Sequence, residues 1–225
     1  MPSKLEKFAD LNSFSNSFDL FFDQLEQGLP LKGKWHKDVF KNENPIVIEL
    51  GCGRGEYTIG LAENNPHKNF IGVDIKGNRI WTGAKHALDN HLNNVAFLRT
   101  YIDFIEHCFG PGEVSEIWIT FPDPQPQKTR ERKRLTNYRF FLQRYNHILK
   151  PGGLVHLKTD STSFYEYTME VIKENNLPLV FATNDLYKNC PPDREELTRI
   201  KTYYESLFTA KGEDIKYCCF KLDTL

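Results

Sequence analysis

Short apolar runs of strand length alternate with segments of helical period along most of this chain, and that alternation is what most restricts its fold. Ile46–Leu50 is the first run, and Asn69–Val73, Val95–Leu98, Glu116–Thr120 and Leu154–Lys158 repeat it. Between them, Gly77–Asn90 sets Ile80, Ala84 and Leu88 on one helical face. Further helices are expected from the Gly51–Gly55 turn to Asn64-Asn65-Pro66, near Ile102–Phe109, from Thr136 to Leu149, over Ser161–Asn175 and over Glu195–Phe208. Leu179–Ala182 and Ile215–Lys221 complete the strands and suit an antiparallel edge. Strand–helix repetition of this kind builds a parallel sheet with helices on both faces. The expected fold is α/β and Rossmann-like: a seven-stranded, mostly parallel sheet with an antiparallel C-terminal strand. Residues 1–44 show no clear strand and read as an N-terminal arm or cap, part helical around Phe18–Leu25. Residues 45–225 then form the main domain.

The first strand runs into Glu49-Leu50-Gly51-Cys52-Gly53-Arg54-Gly55. Glycines there allow a tight turn, a close backbone approach and free N–H groups for a ligand. Asp74 ends the next strand, about twenty residues on, where a carboxylate can accept both hydroxyls of a ribose. Gly51 and Gly53 with Asp74 therefore point to a nucleoside-containing cofactor. The third glycine of the G-x-G-x-x-G pyrophosphate fingerprint is missing, because Glu56 and Tyr57 follow Gly55. Glu49, an acid within the strand end, suits a cationic amino group better than a diphosphate. S-adenosylmethionine carries such an amine, so a methyl donor is favoured over NAD.

Phe121-Pro122-Asp123-Pro124-Gln125-Pro126 follows the fourth strand. Its prolines fix φ and hold their neighbours extended, so Asp123 stands rigidly at a strand's C-terminal edge. Five cations come next within Lys128–Arg134: Lys128, Arg130, Arg132, Lys133 and Arg134. Such density suits a phosphate backbone, although a solvated loop would look the same. The formal net charge is only −1, so any affinity for nucleic acid rests on this local cluster. No apolar run reaches transmembrane length, no signal peptide is recognisable, and the five cysteines are scattered; the cytoplasm is the expected location. The histidines show no metal-ligand spacing, so no metal is expected.

Four stretches together resemble the bacterial tRNA (guanine-N7-)-methyltransferases, which have the class I S-adenosylmethionine-dependent fold. They are Glu49–Gly55, Val73-Asp74, Phe121-Pro122-Asp123-Pro124 with its basic tail through Leu135, and Thr202-Tyr203-Tyr204-Glu205. The first two are common among methyltransferases and the third is far more specific. The resemblance implies methyl transfer from S-adenosylmethionine to N7 of a tRNA guanosine, the variable-loop guanosine at position 46. It also implies cofactor contacts at Glu49, Asp74, Asp123 and the position of Tyr101, where the family has an acid and this chain offers Asp103 two residues on. Asp123 falls at the catalytic position. Asp160, Thr202, Tyr203, Tyr204 and Glu205 fall at substrate contacts, as does Gln127, where the family carries a lysine that Lys128 can replace. Gln125 stands in place of the family's tryptophan.

Guanine N7 has a free lone pair, so methylation there demands alignment and not a base. Asp123 would stabilise the positive charge that develops on the ring, while Asp160 and Glu205 would accept from the guanine edge. Local capping stays open for three residues: Asp160 at the following helix, and Thr202 with Glu205 as a capping box. The expected partner is tRNA, with neither membrane nor DNA, in a monomer or homodimer. Competing readings are a methyltransferase for another RNA site, a protein or a small molecule, a dinucleotide oxidoreductase, and an RNA-binding relative without turnover.

Overall fold

The computed structural model describes residues 2–222, so positions 223–225 of the expected main domain lie outside the described residues. Eight strands form one sheet: β1 Ser17–Asp19, β2 Ile46–Leu50, β3 Asn69–Asp74, β4 Val95–Arg99, β5 Val114–Thr120, β6 Leu149–Thr159, β7 Leu179–Thr183 and β8 Lys216–Lys221. Their spatial order is β1-β4-β3-β2-β5-β6-β8-β7. Every neighbouring pair is parallel except the two made by β8, which runs against β6 and β7. Strand order reverses between β2 and β5, the crevice where open α/β sheets take their ligands.

The expected count of seven strands is corrected by β1. Ser17–Asp19 pairs in parallel with Phe97–Arg99 and so extends the sheet beyond β4. Three residues are too few to show alternation, which is why this strand leaves no readable pattern. The helix expected around Phe18–Leu25 is this strand plus a single 3-10 turn at Phe22–Gln24. The arm's true helix, α1, lies earlier at Lys4–Ser13 and is opened by a reciprocal cap between Ser3 and Glu6.

The remaining helices are α2 Glu56–Asn64, α3 Gly77–Asp89, α4 Gln143–Ile148, α5 Thr162–Glu174, α6 Glu196–Arg199 and α7 Tyr203–Ala210. Asn137, and not Thr136, caps the turn that leads into α4, accepting from Phe140 N. Thr136 is instead buried with its hydroxyl on Thr168 Oγ1 at 2.7 Å. The single helix expected over Glu195–Phe208 is broken into α6 and α7, because Ile200 is extended and Thr202 starts a new cap.

Side chains alternate across the sheet, so each strand serves two cores. On one face Ile48, Ile71, Ile117 and Leu157 are fully buried with α4 and α5 residues, each worth about 2 kcal/mol. The arm contributes Leu20 and a fully buried Trp35 to the same core. The other face, under α2 and α3, is unlike it. Val47, Phe97 and Trp118 share that face with buried Glu49, Thr120, His156 and Lys158. Buried charge is costly unless it is partnered, so these polar positions need a reason beyond stability.

Candidate active site and nucleic-acid interface

The turn after β2 is built by left-handed backbone: φ is +77° at Gly51, +58° at Gly53 and +76° at Gly55. A Cβ on Gly55 would sit 2.6 Å from the Phe97 ring, so only glycine lets the turn close on β4. Four of the turn's donors are engaged within the protein. Gly51 N and Cys52 N both donate to Val73 O, Gly53 N donates to Asp74 Oδ2 at 2.9 Å, and Gly55 N donates to Cys52 O. Four of the free N–H groups expected here are therefore engaged within the protein, which shrinks the cradle a pyrophosphate would need. A cofactor without phosphate fits this turn.

Asp74 is half-buried and also accepts from Lys76 N at 2.8 Å, which aims its carboxylate across the end of β3. A cleft of about 500 Å³ opens beside it. Gly51, Asp74, Tyr101 and Asp103 line one side, and Arg132, Lys133 and Leu135 line another. Tyr101 and Asp103, the two alternatives at the family's acidic position, thus face the same space. Asp103 is drawn to Arg144 at 3.4 Å, whereas the Tyr101 ring is half-exposed against Phe104.

Glu49 lies under the turn, only 3% exposed, and does not line the cleft. Its carboxylate accepts from Thr58 N at 2.8 Å and from the Thr58 and Thr120 hydroxyls. No cation pairs with it among the described residues. Burial raises its pKa from the ordinary 4.5 to about 7, against the lowering effect of those hydrogen bonds. A buried acid without a counter-charge is the electrostatic complement of a cationic ligand group. Neither threonine is marked by a motif: strand alternation puts Thr120 on the Glu49 face of β5, whereas Thr58 reaches Glu49 from the first turn of α2.

Asp123 stands four residues past Ile119, whose Cα pairs with Leu50 of β2. Its side chain is exposed and accepts from Gln125 N at 3.1 Å. It borders the cleft's end of the sheet without lining the cleft itself. Phe121 and Gln125, on either side, have φ of +46° and +44°, a conformation that non-glycine residues rarely hold without support. The loop is thus pinned in shape by more than its prolines.

The basic stretch forms a 3-10 turn over Lys128–Lys133. Lys128, Arg130, Arg132 and Lys133 are exposed, as is Gln127, and none of the four cations has an ion-pair partner among the described residues. Arg134 departs from the expectation of a backbone contact. It is 8% exposed, with its guanidinium 4.4 Å over the Tyr167 ring.

The C-terminal segment also corrects an expectation. Glu205 is fully buried, with its two oxygens 2.8 and 2.9 Å from Lys158 Nζ and one accepting from the Tyr187 hydroxyl. A guanine edge cannot reach it in this structure. Thr202 Oγ1 accepts from Glu205 N at 3.1 Å, so its side chain caps α7. Tyr203 and Tyr204 are exposed; Tyr203 N donates to Glu56, and Arg54 lies 5.8 Å over the Tyr203 ring. Asp160 is half-buried just past β6; burial raises its pKa, against the lowering effect of a hydrogen bond from its own backbone and of nearby Lys216. The cap on α5 is Ser161, which leaves the Asp160 carboxylate open.

A parallel sheet with one reversed strand near its edge, a glycine turn after β2 and acids at successive strand ends are the architecture of a class I methyltransferase. The family model described as "Putative methyltransferase" matches residues 43–218. The chain belongs to the tRNA (guanine-N(7)-)-methyltransferase family. A relative of that name in Bacteroides thetaiotaomicron is 51% identical, covering 98% of this chain and 86% of its own. Another in Porphyromonas gingivalis is 53% identical over 88% of this chain and 80% of its own. Among solved structures, the 16S rRNA methyltransferase KamB shares the fold with a TM-score of 0.61 at 15% identity, over 82% of this chain and 90% of that one.

Proposed function

We propose that this chain transfers a methyl group from S-adenosylmethionine to N7 of a guanosine in tRNA, with the variable-loop guanosine at position 46 as the target. The observation that carries the reading is a shared wall. Arg132 and Lys133, from the exposed basic turn, close the same cleft that Gly51 and Asp74 open. A nucleoside pocket walled by unpaired cations suits an enzyme whose substrate is a polyanion. The relatives' name supplies the particular base and atom.

The residues present fit the cofactor. Asp74 would accept from ribose hydroxyls, Tyr101 and Leu135 would offer apolar surface for a purine, and Glu49 would complement the ligand's cationic amine once ionised. S-adenosylmethionine, when bound, provides an electrophilic methyl group on sulfur. The protein's task is then alignment. N7 already carries its lone pair, so no group must remove a proton from it, and holding the base in line is the main contribution. Asp123, rigid and exposed at the end of β5, lies where a carboxylate can offset positive charge growing on the purine. Asp160 has free acceptor capacity for the guanine N1–H and amino group. Lys128 and Gln127, at the start of the basic turn, stand ready for the nucleotide's phosphate. The base must leave its stack to reach them. This reading places the enzyme in the cytoplasm with its tRNA.

Two measurements test it. Calorimetry should show binding of S-adenosylmethionine and none of NAD, because the turn lacks the third glycine of the pyrophosphate fingerprint and four of its donors are engaged. Radiolabelled methyl should then pass to unmodified tRNA; absence of transfer in the presence of bound cofactor would contradict the proposal.

A further inference from the structure

One fully buried lysine holds together the parts of the site that come from distant sequence. Lys158, at the end of β6, sends Nζ to Glu205, to Leu197 O at 2.6 Å and to Ile200 O at 3.3 Å. These acceptors belong to α6, to the extended break after it and to α7, which carries Tyr203 and Tyr204. The same residue's backbone O accepts from Phe121 N at 2.8 Å, where the left-handed Phe121 starts the Asp123 loop. The Phe121 ring in turn stacks on Phe208 of α7 at 6.3 Å. Asp160 lies two residues beyond Lys158. The Asp123 loop, the Asp160 strand end and the Tyr203–Tyr204 segment thus meet at one residue.

The chemistry of the pair says what it is for. A buried ion pair gains little stability over a well-packed apolar pair, since both charges must be desolvated. What it adds is geometry: an ammonium has three donors, and here they fix two carbonyls and a carboxylate in one arrangement. An apolar side chain of equal length would fill the space without specifying that arrangement.

We propose that Lys158 is a positioning residue for the tRNA-binding side of the active site, and that Glu205 acts through it and not on the guanine. Neither residue touches substrate. This rests on the tRNA methylation proposed above.

The decisive comparison uses Lys158→Met, Glu205→Met and the double variant, together with the isosteric Glu205→Gln. The double variant leaves no unpaired buried charge, so it should melt above either single methionine variant. Its kcat/KM for tRNA should nonetheless fall about tenfold, while its dissociation constant for S-adenosylmethionine stays within about threefold of wild type. Each single variant should lose a similar factor, because the two residues act as a unit and their effects do not add. A stable double variant with wild-type kcat/KM would overturn the proposal. So would loss of tRNA methylation in Glu205→Gln with full activity in Lys158→Met, which would put Glu205 on the substrate. Amide exchange over residues 196–210 gives a readout free of catalysis. It should quicken in Glu205→Gln with no change in α3, and unchanged exchange would overturn the latch. A wild-type protein that binds cofactor but methylates no tRNA would refute the function, leaving exchange to judge the latch alone.

Discussion

Glu49 binds its proton more tightly in the folded protein, at about 7, than at the ordinary 4.5. By linkage, its contribution to stability is complete below about 4.5 and is lost as pH rises through about 7. A cationic ligand reverses the preference, because it favours the ionised acid. Affinity for S-adenosylmethionine should therefore climb between pH 6 and pH 8, then fall as the ligand's own α-amine loses its proton near about 8. Glu49→Gln should melt higher than wild type at pH 8 and bind the cofactor about tenfold more weakly, with the rising limb gone. Calorimetry across pH and a thermal melt check both statements. Asp123 supports a narrower prediction. It is exposed and holds only the Gln125 amide, so Asp123→Ala should keep the wild-type melting temperature while kcat falls by about a hundredfold. Full turnover in that variant would remove Asp123 from the mechanism. Both residues were readable from their motif, whereas Lys158 was not. A lysine near a strand end usually points to water, and only the fold shows that this one points into the α6–α7 face.

The basic turn and its neighbour Arg134 separate two jobs that look alike in sequence. Lys128, Arg130, Arg132 and Lys133 are exposed, and Arg134 is stacked beneath Tyr167. Replacing the four by Ala should reduce the slope of log affinity for tRNA against log salt by about 3. Arg134→Ala should leave that slope unchanged and cost about 1 kcal/mol of stability through lost stacking and stem packing. Filter binding across salt and denaturant unfolding distinguish the two. Charge density cannot reveal this split, because burial of one cation among five depends on where α5 packs. Elements with long periodic patterns were legible: β2 to β5, α3 and α5 lie close to where the apolar spacing puts them, whereas β6 begins five residues before the expected Leu154, at Leu149. One misread element has a tertiary cause. The break between α6 and α7 is set by Lys158 taking the Leu197 and Ile200 carbonyls, a tertiary contact that local periodicity does not carry.

At the scale of the whole molecule, the N-terminal arm is part of the core. Trp35 is fully buried, stacks on Phe109 at 5.4 Å and donates Nε1–H to Cys108 O at 2.9 Å. Trp35→Ala should cost about 3–5 kcal/mol in urea unfolding, a loss that a loosely attached cap would not show. The arm's other edge reaches the cofactor side, where Arg99 lies between the Phe8 and Phe21 rings at 4.6 and 4.7 Å. No helix among the described residues is long and apolar enough to cross a membrane. Sequence made the catalytic half of the architecture legible because its strands are buried on both faces and its turn is glycine-rich. The arm stayed opaque because its strand is three residues long and its aromatics are spaced irregularly. The central claim is that one cleft brings a methyl donor to a tRNA guanine. Mass analysis of the nucleosides from unmodified tRNA, after incubation with the protein and S-adenosylmethionine, tests it most directly. The account predicts N7-methylguanosine as the one new nucleoside, formed by wild type and lost in Asp123→Ala; methylation of any other atom or base, or none at all, would contradict it.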